Sequence, residues 1–266
     1  MKKHFKLFAI LSISLIIPCK LYAIDMTVGA TTWYAWGEQY NVQTGSTKNT
    51  LLESDPALLY GPALSVKFSD DFNLTFVFLY GKFKAEKNDG SGKIENSKFN
   101  RIDSDLALNY RLSNYFKLFV GAKYLSYDIV PNNDEITFII KKIDPHTSYG
   151  AGLGLSATVP ITGNLFGLAT LSGLYLFGSD SFVKTEDMWT SPPVVHNVKI
   201  AYNEYGFNSN LSIAYYLTEY STVISLGGRF QYLLADYKDK NNGVALDYIR
   251  FVIYGVTLTA TYSFSI

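Results

Sequence analysis

From about residue 26 onward, apolar and polar positions alternate. In the last stretch Val252, Tyr254, Val256, Leu258, Ala260, Tyr262, Phe264 and Ile266 share one parity, while Gly255, Thr257, Thr259, Thr261, Ser263 and Ser265 hold the other. Side chains of a strand point to opposite faces in turn, so this spacing predicts a long strand with one greasy and one polar face. The same count sets Phe72, Leu74, Phe76, Phe78 and Tyr80 against Asn73, Thr75, Val77, Leu79 and Gly81. It also sets Leu106, Leu108, Tyr110 and Leu112 against Asp105, Ala107, Asn109 and Arg111. Ten strands are predicted, near 26–37, 57–68, 72–83, 100–112, 116–127, 147–159, 165–177, 203–217, 222–235 and 248–264. The seventh is apolar on both faces, and its parity assigns no inside.

The connections are of two kinds. Those at 69–71, 113–115, 160–164 and 218–221 are short and rich in Ser, Asp, Asn and Gly, as tight turns are. Those at 84–98, 128–146, 178–202 and 237–247 are long and carry charge. Short and long alternate, so every hairpin has the same orientation. The pattern predicts an all-β chain, a transmembrane antiparallel up-and-down β-barrel of about ten strands, with eight as the alternative. Closure is what the solvent demands, because in hydrocarbon every backbone N–H and C=O needs an internal partner. Trp33, Tyr34 and Trp36 near one end, and Tyr262 and Phe264 near the other, are expected at the membrane interfaces.

Composition agrees with a membrane barrel over its rivals. Charged residues are 17% of the chain, against roughly 25% in soluble domains, and aromatics reach 16%. A soluble barrel with a greasy interior would show charged residues on its polar face; here that face is mainly Gly, Ser, Thr and Asn, and the charge lies in the loops. A helical membrane protein is the rival for 145–179, which holds no Asp, Glu, Lys or Arg. Pro160, the glycines and the turn Thr162-Gly163-Asn164 in its middle suit two strands better.

At the N-terminus, Lys2, Lys3 and Lys6 precede an apolar run over 7–17, Pro18 ends it, and Leu21-Tyr22-Ala23 precedes an expected cut before Ile24. This reads as a signal peptide over 1–23, with the barrel over 24–266. A lipoprotein signal acylated at Cys19 is the alternative. Cleavage removes four Lys and no acid, leaving 19 Lys+Arg against 23 Asp+Glu, and removes the single Cys. The mature chain then has no disulfide and no thiolate chemistry. Nothing basic offers a footprint for nucleic acid.

On these features the chain resembles the single-chain outer-membrane β-barrel proteins of Gram-negative-type bacteria over the whole of 24–266. The resemblance implies export to the bacterial outer membrane, contact with its lipid, and recognition of the C-terminal strand by the barrel-insertion machinery. Such proteins usually end on an aromatic residue; here Tyr262 and Phe264 hold the alternating positions and Ile266 is last. No periplasmic domain is expected.

Candidate chemistry lies on the inside face. Parity places there Lys67, Arg101, Asp103, Asp105, Asn109, Arg111, Lys117, Lys123, Asn208, Asn210, Arg229 and Gln231. Both signs of charge occur, so these residues are expected to pair across a narrow bore or else to line a small polar channel for a solute. If 113–115 is a three-residue turn, Leu112 meets Phe116, Asp105 lies opposite Lys123, and Arg111 lies opposite Lys117, which then needs an acid nearby. His146-Thr147-Ser148 resembles the His-x-Ser pair of outer-membrane esterases, but parity turns it inward, and His146 is read as a loop residue. A rim protease would draw on Asp144 beside His146 or Asp187 beside His196. No catalytic, metal or cofactor residues are assigned, and the expected role is non-enzymatic: structural, contacting an extracellular ligand through the loops, or a narrow channel.

The loop alternation makes a topological prediction. Cysteines placed at Asp89, Asn133 and Asn241 should react with an impermeant thiol reagent on intact cells, and cysteines at Asp70 and Asn114 should not; the reverse pattern would invert the orientation.

Overall fold

The structure, a computed structural model, describes residues 24–43, 50–88, 94–130, 140–142, 146–186, 194–238 and 246–266. Residues 1–23, where a signal peptide is expected, and the label positions Asp89, Asn133 and Asn241 lie outside the described residues. The strands are β1 (Asp25–Gln43), β2 (Thr50–Ser54), β3 (Ala57–Lys67), β4 (Phe72–Asn88), β5 (Ile94–Arg111), β6 (Phe116–Val130), β7 (Ile140–Lys142), β8 (His146–Thr162), β9 (Leu165–Glu186), β10 (Val194–Leu217), β11 (Thr222–Tyr237) and β12 (Leu246–Ser265). Ten of them form the wall, each antiparallel to the next, in the order β1-β3-β4-β5-β6-β8-β9-β10-β11-β12. β12 returns to β1 with an unbroken register from Asp25↔Ser265 to Val42↔Tyr248, which closes the sheet. Ten strands, not eight, make the barrel.

The short strands are additions at the loop end. β2 continues the line of β3 past Asp55-Pro56 and bridges β1 and β4, while β7 lies along β9. Charge does not stop the ladder. β4 and β5 stay paired out to Asn88↔Ile94, and β9 and β10 out to Glu186↔Val194, so most of the residues read as loops at 84–98 and 178–202 are strand. At the other end the turns are as short as predicted. Leu112 donates its N–H to the Phe116 carbonyl at 2.9 Å, closing the 113–115 turn. Gly163 has φ +49°, the left-handed value required at the first central position of the β8–β9 hairpin. The β3–β4 register omits Gly61 and Pro62, since proline brings no N–H to a ladder.

Outward positions are apolar and bare: Leu58, Leu106, Leu153, Leu171, Leu211 and Leu226 are all exposed, Leu211 to 70%. Rings gather at both margins of this belt. Tyr34 meets Trp36 edge-on at 5.1 Å and Trp36 stacks on Tyr254 at 6.1 Å; at the turn end Phe72 meets Tyr110 at 5.0 Å and Tyr262 stacks on Phe264 at 5.9 Å. Tyr254 and Tyr262 are separated by roughly 27 Å of strand, or about 20 Å of height at a tilt near 40°. That matches the roughly 25 Å apolar band of a barrel in a bilayer. Trp33 departs from the expectation. It is wholly buried on the inward parity and belongs to the interior, not to the interface.

The loop half of the interior is apolar too. Leu59, Leu79, Phe83, Leu125, Leu176 and Phe251 pack there as a core inside the wall, joined by Ile249 and Ile253. Strand seven of the prediction, now β9, has its inside defined by this core: Ser172, Leu174, Leu176 and Asp180 are buried, and Leu171, Gly173 and Tyr175 face out.

Closure at this width requires glycine at the seam. A Cβ on Gly255 would stand 2.0 Å from the Tyr34 carbonyl oxygen and 2.7 Å from the Ala35 Cα, so the β1 and β12 backbones would have to separate. Gly255→Val should destabilise the barrel by at least about 1–3 kcal/mol, read as loss of the fast-migrating folded band on an unheated gel, whereas Gly173→Val, on the open outer wall, should keep that band.

Candidate functional site: the ion-paired interior

The central charges converge because alternation on three strands aims them at one level. Arg101, Asp103 and Asp105 follow one another inward on β5, Lys123 stands opposite Asp105 on β6, and Arg229 and Gln231 come across the bore from β11. Lys123 Nζ donates to Asp103 Oδ1 at 2.7 Å and to Asp105 Oδ1 at 2.8 Å. Arg229 Nη2 reaches the same two carboxylates at 3.3 Å each, so two acids and two cations form a closed ring. Arg101 Nη2 donates to the second oxygen of Asp103 at 2.8 Å and also to the Gln231 side-chain oxygen. Trp33 forms the floor of the cations: the Arg229 guanidinium lies 4.5 Å and that of Arg101 6.0 Å from its ring.

Burial defines what this arrangement does. Arg101 and Asp103 are 0% exposed, Lys123 3% and Arg229 8%; only the Asp105 side chain, at 32%, has substantial access to water. A charge taken from water costs several kcal/mol unless its partners replace the hydration, and here each carboxylate accepts from at least two cations. Arg229 Nε further donates to the Asn208 side-chain oxygen at 3.2 Å. Asn210 pairs in register with Arg229.

Four predicted inside residues lie apart from the ring. Asn109 sits toward the turns, donating to Thr75 Oγ1 and the Asn73 and Ala107 carbonyls, each at 3.2 Å. Lys117 is half-buried nearer the turn-side mouth. Lys67 and Arg111 keep the inward parity but stand at the turn-side rim, 42% and 43% exposed, because strand ends put long side chains within reach of turn acids. Lys67 reaches Asp70 at 2.9 Å and Asp25 at 3.8 Å, and its hydrogen bond holds the Asp70 carboxyl below the usual carboxylate range. Arg111 does lie opposite Lys117, and its acid is Asp71 at 3.7 Å, from the neighbouring turn.

A second polar layer lies on the loop side of the ring, and sequence reasoning missed it. His146 is not a loop residue; it opens β8, 2% exposed, with Nδ1 3.0 and 3.2 Å from the two oxygens of Asp180 on β9. The Tyr237 hydroxyl donates to Asp180, and that of Tyr202 donates to the Thr147 carbonyl at 2.8 Å. Ser148 gives its hydroxyl proton to Glu204. The inward parity of His146 and Ser148 was readable beside Gly150 and Gly152, but Asp180 and Glu204 lay in a segment read as loop and at the margin of a strand. An esterase pair needs serine bonded to histidine; here each has its own carboxylate. The rim acids Asp144 and Asp187 and the His196 side chain lie outside what is described. Among the described residues no three His, Cys, Asp or Glu side chains are grouped to hold a metal ion.

Comparison with solved structures returns bacterial outer-membrane barrels. The crystal structure of the outer membrane protease OmpT from Escherichia coli matches at TM-score 0.56 and 12% identity, covering 94% of this chain and 100% of that one. The outer membrane protein OprG from Pseudomonas aeruginosa matches at 0.43 and 10%, covering 91% and 95%. Neither a protein-family model nor a curated protein matches. The chain has the bacterial outer-membrane β-barrel fold.

Removing one partner of a buried ion pair typically costs about 3–5 kcal/mol. Asp103→Ala leaves Lys123 and Arg229 on Asp105 alone and takes from Arg101 its carboxylate partner, and should lower stability by that amount, measured by urea unfolding of the refolded barrel; Asp70→Ala, which removes an exposed partner, should leave the unfolding midpoint close to that of the wild type.

Proposed function

We propose that this protein is a non-enzymatic resident of the outer membrane whose bore is closed, and which acts as a structural and surface-contact barrel. The observation that carries this reading is the inaccessibility of the ring: a water-filled channel would leave Arg101, Asp103 and Lys123 in contact with solvent, and they are 0–3% exposed. The apolar belt contacts membrane lipid. The C-terminal strand, with Tyr262 and Phe264 on its outer face, is the segment offered to the insertion machinery, and the loop end is the part available to an extracellular ligand.

A second reading, a narrow polar channel, draws on the exposure of Asp105 and half-buried Lys117, which bring water from the turn side up to the ring. A hydrolase reading draws on the fold shared with a protease, but that likeness, at 12% identity, is one of fold. His146, the interior base, is buried and bonded to Asp180.

Planar-bilayer conductance separates the first two. The closed reading predicts little or no conductance for the wild type, and openings together with lower stability for Arg229→Ala. Wild-type openings at nanosiemens scale, with Arg229→Ala shifting selectivity toward cations because one wall charge is lost, would establish the channel instead.

A further inference from the structure

We propose that the turn-side half of the bore is a vestibule that binds a small free oxyanion, of which phosphate is the type, on a row of donor side chains centred on Lys117. In register across the wall, Arg111 of β5 faces Lys117 of β6, Lys117 faces Ser156 of β8, Ser156 faces Thr170 of β9, Thr170 faces Asn210 of β10, and Asn210 faces Arg229 of β11. All six share the inward parity. Because barrel strands tilt, the row climbs from the rim at Arg111 to the ring at Arg229. It contains no carboxylate. A closed ring makes this vestibule a dead end, where an anion binds and returns; an open one would leave the row in place.

The middle of the row is unspent. Lys117, Ser156, Thr170 and Asn210 are half-buried, and none of their side chains has a hydrogen-bond or ion-pair partner among the described residues. On the opposite wall the polar side chains are spent on one another: Thr27 meets Ser263 at 3.0 Å, Thr31 meets Thr259 at 2.7 Å, and Asn73 donates to Ser65 Oγ at 3.3 Å. A like charge directly opposite Lys117 is a cost, and Arg111 and Lys67 both act on it electrostatically. The acids of this end do not relieve it. Asp25, Asp70, Asp71 and Glu219 lie exposed at strand ends and in turns, and Lys67 and Arg111 take the first three. The ring above, with Arg101, joins three cations to two carboxylates. Acids outside and cations within draw an anion inward, and one lodged at Lys117 supplies the missing counter-charge. Arg111 meets Asp71 through Nε alone, which leaves its Nη groups to lead an oxyanion in, and the hydroxyls of Ser156 and Thr170 donate to its remaining oxygens. Membrane headgroups lie outside the wall and these side chains point inside it, so the occupant is a free anion.

The test titrates inorganic phosphate against the refolded barrel in an uncharged, phospholipid-free detergent and reads the line width of the phosphorus NMR signal. The wild type should bind. Lys117→Met should weaken binding about tenfold or more, and Lys117→Arg, which keeps the charge, should restore most of it. Lys67→Met removes a cation of the same rim but not of the row, and should bind as the wild type does. Each variant is first checked for the fast-migrating folded band; should Lys117→Met not refold, Ser156→Ala carries the same comparison. A folded wild type that binds no phosphate at millimolar concentration overturns the proposal, and so does binding that Lys117→Met leaves unchanged. Displacement of the phosphate by stoichiometric phosphatidylglycerol would show a lipid headgroup as the occupant and overturn the free anion. Conductance enters none of these readouts, so the closed reading can fail while the vestibule stands, and the reverse.

Discussion

A strand in hydrocarbon can send its N–H and C=O groups only to another strand, and the β1–β12 seam is where this chain meets that demand. Everything inside follows from the narrow width at which the seam closes. Gly255 lets β12 lie against Tyr34 and Ala35 of β1, and the wall then turns the inward side chains of facing strands toward one another across a short gap. Charges placed there meet one another before they meet water. The interior is accordingly built in levels: rim pairs at Lys67 and Arg111, the ring of Asp103, Asp105, Lys123 and Arg229, the layer of His146 and Asp180, and apolar packing of Leu59, Phe83 and Phe251 in the loop half.

The ring and the rim use the same residue types to different effect. Lys67 and Asp70 keep their water, and such a solvated pair contributes little to stability. Lys123 and Asp103 have lost theirs, so each depends on the other's geometry, and the loss of either leaves a buried charge unanswered. The lattice is in this sense a device for uniqueness: a slip of one residue between β5 and β6 would turn Asp105 or Lys123 toward lipid, so the charges fix the register that the hairpin turn began.

The wall was legible because its signal repeats. Asp105↔Lys123 and Arg111↔Lys117 were both available by counting back from one turn, and the short turns lie where Ser, Asp, Asn and Gly cluster. What was not legible lies where parity stops discriminating. In the loop half Leu233, Ala235, Ile249, Phe251 and Ile253 face inward although apolar, so a rule equating greasy with outside has no contrast to work with. Trp33 has the sequence surroundings of an interface ring for the same reason, and its partner, the guanidinium of Arg229 nearly two hundred positions later in the chain, leaves no local trace. Long-range polar partners such as Asp180 for His146 and Glu204 for Ser148 are likewise products of closure, arriving from strand portions whose charge reads as loop.

The central claim, that the bore is closed at the level of the ring, is tested most directly by a small cationic thiol reagent on Ser172→Cys. Ser172 is 6% exposed on the inner wall, opposite Asn208 in register, and the change is nearly isosteric. In the folded barrel this cysteine should stay unmodified and react only after denaturation, whereas a cysteine at exposed Ser69 should react at once. Rapid modification at position 172 in the native barrel would show that water and ions enter the buried level of the ring, and would contradict the account.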